Sequence, residues 1–146
     1  VFGTTATIAQ GVEATFHVNH DYRPGSSAYI HVHSSPMNAG LSGTVNWKVA
    51  WTYARGHNQS GPTFTAFPAC QTISLPCVVS ATQYQHQITE VEFGSMLEVD
   101  TLIKCYLYRD TTSGDTCAGD VAALFLDFHY QADRNGTSTK APTWDT

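Results

Sequence analysis

The segment from Val45 to Tyr53 constrains the fold more than any other part of the chain. Val45, Trp47, Val49, Trp51 and Tyr53 alternate with Asn46, Lys48, Ala50 and Thr52. Successive side chains of an extended strand point to opposite faces, so a period of two places all five large apolar groups on one side. On a helix the same residues would spread around the whole cylinder and leave no polar face. A strand this greasy on one side needs a second apolar layer opposite it, which predicts sheet packed on sheet. Trp47, Trp51 and Tyr53 could form an aromatic platform for a sugar or a partner. At strand spacing beside Val45 and Val49 they read as core.

Other segments repeat the pattern. In Tyr29–His33, Ile30 and Val32 share one face, and Tyr29, His31 and His33 the other. Val99 to Arg109 sets Leu102, Lys104, Tyr106 and Tyr108 against Ile103, Cys105 and Leu107. Val121 to Tyr130 sets Leu124, Leu126 and Phe128 against Phe125, Asp127 and His129. Thr63–Phe67, Gln71–Leu75 and Gln83–Val91 are further strand candidates, and Glu90–Leu97 could make one short helical turn against Gly94. Asn38–Thr44 and Arg55–Pro62 read as loops, and Asp110–Gly119 as a hairpin connection. Roughly eight short strands with no long helical stripe give an all-β fold, an antiparallel β-sandwich of jelly-roll type with little helix. Residues 1–131 form that domain. Residues 132–146, polar and carrying Gly136 and Pro142, form an extended C-terminal arm.

Composition narrows the function. The 146 residues carry a formal net charge of −5 and no basic stripe, so nucleic acid is not an expected partner. No apolar run reaches the roughly 20 residues of a membrane helix. No basic-then-apolar segment follows Val1, so no signal peptide is expected. Charged residues make up 13% of the chain, against roughly 25% in average domains, which favours a surface partly covered by other copies or a partner. Cys70, Cys77, Cys105 and Cys117 lack zinc-site spacing. Cys105 lies in an apolar run and reads as a buried thiol, whereas Cys70 and Cys77 could bridge or remain free.

The chemistry-bearing residues are histidines. His31 and His33 leave the same side of one strand, and Asp127 and His129 the same side of another. If those strands are neighbours, the four side chains form one polar cluster. Such a cluster could be a metal site or a pH-sensitive interface. It could equally be a hydrogen-bonded network fixing strand register, and the sequence favours that reading, with no metal and no cofactor. His17, His20 and Asp21 could join it, although nothing in the sequence fixes their place. His57 and His86 lie in polar surroundings and read as exposed. Tyr29, His31, His33, Tyr106, Tyr108 and His129 are the interface candidates, because polar-tipped rings suit partly wet contacts. No nucleophile elbow, zinc-protease motif or phosphate loop occurs, so an enzyme is not expected.

Three segments in order carry a resemblance: Tyr29-Ile-His-Val-His33, Val45-Asn-Trp-Lys-Val-Ala-Trp-Thr-Tyr53, and Leu126-Asp-Phe-His-Tyr-Gln-Ala-Asp133 followed by Arg134-Asn-Gly-Thr-Ser138. Together they resemble a group of tailed-bacteriophage virion structural proteins associated with capsid decoration or fibres. The resemblance spans about Asp21 to Ser138 and departs at Ser34, where an aromatic residue is expected. It implies a β-sandwich homotrimer on the outer surface of the virion. The role it implies is a capsid decoration (cement) protein bridging major capsid proteins. The alternative is the receptor-binding head of a fibre, recognising a host-surface glycan or protein.

Overall fold

The computed structural model describes residues 11–56, 61, 63–64, 71–94 and 98–132. Their strands are β1 (Val12–His17), β2 (Ala28–Pro36), β3 (Thr44–Ala54), β4 (Gln71–Val78), β5 (Gln87–Gly94), β6 (Leu102–Arg109) and β7 (Val121–Tyr130). They form an antiparallel β-sandwich: a four-stranded sheet in the order β1-β6-β3-β4, and a three-stranded sheet in the order β5-β2-β7. Of the consecutive pairs, only β3 and β4 share a sheet. Every other connection crosses between layers, so the chain laces the two sheets together.

The alternation places the core. Val45, Trp47, Val49 and Trp51 of β3 point inward with Leu75, Ile103, Cys105 and Leu107. Ile30 and Val32 of β2 and Phe93 of β5 meet them from the other layer. Trp51 packs on Phe93 with ring centroids 3.9 Å apart, and Phe16 stacks on Phe128 at 5.9 Å, so aromatic pairs join the layers. Burying each such side chain contributes about 1.5–3 kcal/mol, which makes β3 and β2 the strands the sandwich can least lose.

Several boundaries differ from the sequence reading. Residues 90–94 are strand, in line with the Gln83–Val91 candidate and not the helical turn, whose residues 95–97 lie outside the described residues. Val91 and Phe93 point toward the core while Glu90 and Glu92 point to solvent, and Gly94 closes the strand at φ +102°. Gln83–His86 precedes β5 as a turn and its exit, with Tyr84 at φ +60° donating its amide to the Pro36 carbonyl. The segment 110–119 is a crossover between sheets and not a hairpin, because β6 and β7 lie in different layers. β1 was not anticipated. Its inward residues, Ala14 and Phe16, are only partly buried, so its alternation is muted. The polar side of β3 is not all exposed either: Asn46 and Ala50 are buried. Thr63 and Phe64 lie outside any strand, and the rest of that candidate, like Cys70 and His57, lies outside the described residues. Ala132 forms a bridge with Tyr22, and the arm beyond it is likewise outside them. Among the described residues Cys77, Cys105 and Cys117 are free, buried thiols, and burial pushes that of Cys105 up to about 12.

The crossover from β6 to β7 is organised by Arg109, whose side chain is fully buried. Its Nε donates to Asp115 Oδ2 at 2.7 Å and its Nη2 to Asp115 Oδ1 at 2.8 Å, a two-pronged pair. Nη1 donates to the Gly119 carbonyl at 2.8 Å and Nη2 to that of Cys117 at 2.5 Å. The guanidinium thus acts as a template around which the loop folds before Val121 enters β7. Breaking a buried pair by removing one partner leaves a charge without compensation. Asp115→Ala is therefore expected to lower unfolding free energy by about 3–5 kcal/mol, measured by urea titration.

Beside it, Asp110 takes a 2.6 Å ion pair from Lys48. Burial alone would raise its carboxyl, but the Lys48 ammonium and the Thr112 hydroxyl and amide outweigh that and hold it at about 2. A carboxyl lowered on folding stabilises the ionised native state above its ordinary range and loses that contribution as pH falls through the lowered value. The stability gap between the native chain and Asp110→Asn, of order 1–2 kcal/mol near neutrality, is expected to close between about pH 4 and pH 2 in urea titrations.

Candidate functional site: a histidine–carboxylate face

β2 is the central strand of the small sheet, and its inward residues, Ile30 and Val32, are completely buried. Strand geometry then turns Tyr29, His31 and His33 to the outer face. The register lays three rows across that face. Tyr29 lies between Glu92 of β5 and His129 of β7, His31 between Glu90 and Asp127, and His33 between Ile88 and Phe125. A row of acid, imidazole and acid is thus framed by a polar row on one side and an apolar row on the other.

Asp127 is the hub. Its Oδ2 accepts from His129 Nε2 at 2.8 Å and lies 3.3 Å from His33 Nε2, while its Oδ1 lies 3.6 Å from His31 Nδ1. On the other flank His31 Nε2 meets Glu90 Oε2 at 2.6 Å. His33 Nδ1 and His86 Nε2 share a hydrogen bond of 2.7 Å. The rings also pack: His31 stacks on His129 with centroids 4.0 Å apart, His33 stacks on His86 at 4.9 Å, and Phe125 meets His33 edge-on at 5.5 Å.

The proton positions follow from these contacts. An ionised carboxylate can only accept, so His31 Nε2 carries the proton it gives to Glu90. In a neutral ring that leaves Nδ1 as a lone pair. It faces Asp127 Oδ1, a buried oxygen with no hydrogen-bond partner among the described residues. Two acceptors confront each other across 3.6 Å. His33 Nε2 is also buried without a hydrogen bond among them.

The adjacency of β2 and β7 gathers His31, His33, Asp127 and His129 into one cluster, as the sequence allowed. Two members were not anticipated. Glu90 fell in both the strand candidate Gln83–Val91 and the possible helical turn Glu90–Leu97, and the strand alignment is the one that brings it to His31. His86 is exposed as expected, yet it reaches His33. His17 and His20 form a separate group on Asp100, at 3.1 Å and 3.0 Å, and Asp21 accepts from the Tyr130 hydroxyl at 2.8 Å. The interface candidates divide between two surfaces. Tyr29, His31, His33 and His129 share the small sheet, while Tyr106 and Tyr108 project from the four-stranded one. There the Tyr106 hydroxyl accepts from the Gly11 amide at 2.8 Å.

Comparison with protein-family models, with curated proteins and with solved structures finds no match to this chain. The site must therefore be judged on its own geometry. Long-range proton–nitrogen NMR is expected to show neutral His31 as the Nε2–H tautomer. An Nδ1–H signal would mean that His31 donates to Asp127 and that the two acceptors do not confront each other.

Proposed function

We propose that the chain is a non-enzymatic structural protein of a virion, a trimeric capsid-decoration module that assembles through surfaces its own fold leaves uncovered. The observation that carries this reading is an exposed apolar seam where the two layers meet at β1 and β7. Val12 is 54% exposed, Leu124 56% and Phe125 59%, and they line a groove with Ala14, Leu107, Ala123 and Leu126. Among the described residues both strands are sheet edges, where proteins usually place charges to block association. A large apolar patch at such an edge suits burial against another chain. Ile88, 55% exposed, extends apolar surface to the far side of His33.

The resemblance supplies the occupant, a second and third copy of this chain. Its first two segments fall on β2 and β3 and its third begins on β7 at Leu126–Tyr130, the strands that build the core and the histidine face, while residues 133–138 lie outside the described residues. A seam of this kind can pack on a different surface of the next copy and close into a ring of three. Such a trimer, seated across major capsid proteins on the outside of the particle, would act mechanically. Many modest contacts must break together before the shell opens.

Sedimentation and native mass measurement are expected to give a trimer. Phe125→Asp and Leu124→Asp should yield monomers with an unchanged far-ultraviolet spectrum. Particles lacking the protein should lose tolerance to heat and osmotic shock. A chain that stays monomeric at all concentrations would overturn the assembly reading. Retention on host cells with no effect on particle stability would move the protein to the fibre-head role.

A further inference from the structure

The histidine–carboxylate face also carries an inference that does not depend on the virion reading. We propose that His31, Asp127 and His129 bind a divalent transition-metal ion of the zinc class, with Glu90 orienting His31 from behind. Donor atoms of these three residues lie within 4.8 Å of one another. The His31 Nδ1 to Asp127 Oδ1 separation of 3.6 Å is close to the edge of a tetrahedron around zinc, about 3.3–3.5 Å for ligands at about 2.0–2.1 Å.

Proton placement on a neutral His31 leaves room for a cation, which does there what a second ring proton would otherwise do. When neutral, His31 gives its one proton to Glu90, so its Nδ1 lone pair lies 3.6 Å from a buried carboxylate oxygen that has no hydrogen bond among the described residues. A cation placed there turns mutual repulsion into two bonds. A carboxylate on one imidazole nitrogen and a metal on the other is the usual way a protein fixes a ligating histidine. His129 donates Nε2–H to Asp127 without the ion. On binding, its proton moves to Nδ1, where the ring is open to water, and Nε2 becomes the third ligand with no net proton loss.

Two imidazoles and one carboxylate suit zinc, cobalt, nickel or copper, and not calcium or magnesium, which prefer oxygen ligands throughout. Three protein ligands leave a fourth position for water, as in other open zinc sites. The ion would join β2 to β7 across the outer face.

Cobalt(II) and zinc(II) are the probes. Chelator-stripped protein is expected to take up one equivalent of cobalt per chain, with visible absorption of a low-coordinate nitrogen–oxygen site. Zinc should displace the cobalt, and melting temperature should rise with either ion. His31→Ala and Asp127→Asn should each weaken binding at least about 100-fold, and Glu90→Gln about 10- to 100-fold. His129→Ala tests the site without disturbing the core, because that ring is 54% exposed. His17→Ala, in the separate group on Asp100, should bind normally. Absence of stoichiometric uptake at micromolar metal would overturn the proposal. So would uptake undiminished in folded Asp127→Asn and His129→Ala, or lost equally in His17→Ala. A trimer that binds no metal would leave the assembly reading standing and sink this one.

Discussion

The antiparallel register of β2 with β7 sets both the interior and the exterior of this sandwich. Ile30 opposite Phe128 and Val32 opposite Leu126 send apolar groups inward, and in the same alignment His31 opposite Asp127 sends imidazole and carboxylate outward. A slip of one residue would reverse every side chain of one strand, driving imidazoles into the core and exposing Ile30 and Val32. The hydrophobic effect therefore enforces the alignment that builds the polar face. The face needs no separate stabilising device, because burial on the other side of the same strand supplies its precision. The register shift between His33 and Ser34 falls just beyond the cluster, where Ser34 and Ser35 are buried and β2 turns toward the far end of the sheet.

β7 can lie beside β2 only because the chain leaves the four-stranded sheet after Arg109. A hairpin at this point would have kept β7 next to β6 and left His31 without its carboxylate partner. The guanidinium prevents that by holding Asp115 and the carbonyls of Cys117 and Gly119. The loop then crosses over Asn46, whose amide hydrogens reach Asp115 and the Ser113 carbonyl. The buried charge fixes the path of the crossover between the layers, and the crossover delivers β7 to the side of β2.

Much of this architecture was legible in the residue pattern, and the parts that were not share a physical reason. β2, β3 and β7 were readable because apolar and polar residues alternate through Tyr29–His33, Val45–Tyr53 and Leu126–Tyr130. The union of His31 and Asp127 was readable only as a conditional, since strand adjacency is a tertiary fact that periodicity does not encode. β1 escaped notice because its inward positions are small or half-buried. Glu90 lay in overlapping strand and helical-turn candidates, because a short Glu-rich stretch ending in glycine fits either, and only pairing with β2 decides between them and brings it to His31. The role of Arg109 was invisible for a different reason. Charged residues are almost always exposed, so one at the end of a strand reads as surface until its partner arrives from the following loop.

The two polar clusters of the molecule differ in a way that bears on what each is for. Around Arg109 the donors and acceptors are matched: Nε, Nη1 and Nη2 all end on oxygen, and both Asp115 oxygens receive hydrogen bonds. A buried network satisfied in this way holds structure and has little left to offer a ligand. Around Asp127, two buried atoms, Asp127 Oδ1 and His33 Nε2, have no hydrogen bond among the described residues and only longer contacts of 3.6 Å and 3.3 Å, although the surrounding rings are stacked. Native proteins leave few such atoms without a partner, because each costs about 1–3 kcal/mol. Stacked rings around atoms without a close hydrogen bond leave this face with capacity for a ligand, which the Arg109 network lacks. Its position on the central strand means that whatever arrives bears on both neighbouring strands at once. Saturation thus separates the cluster that makes the fold from the cluster the fold makes available.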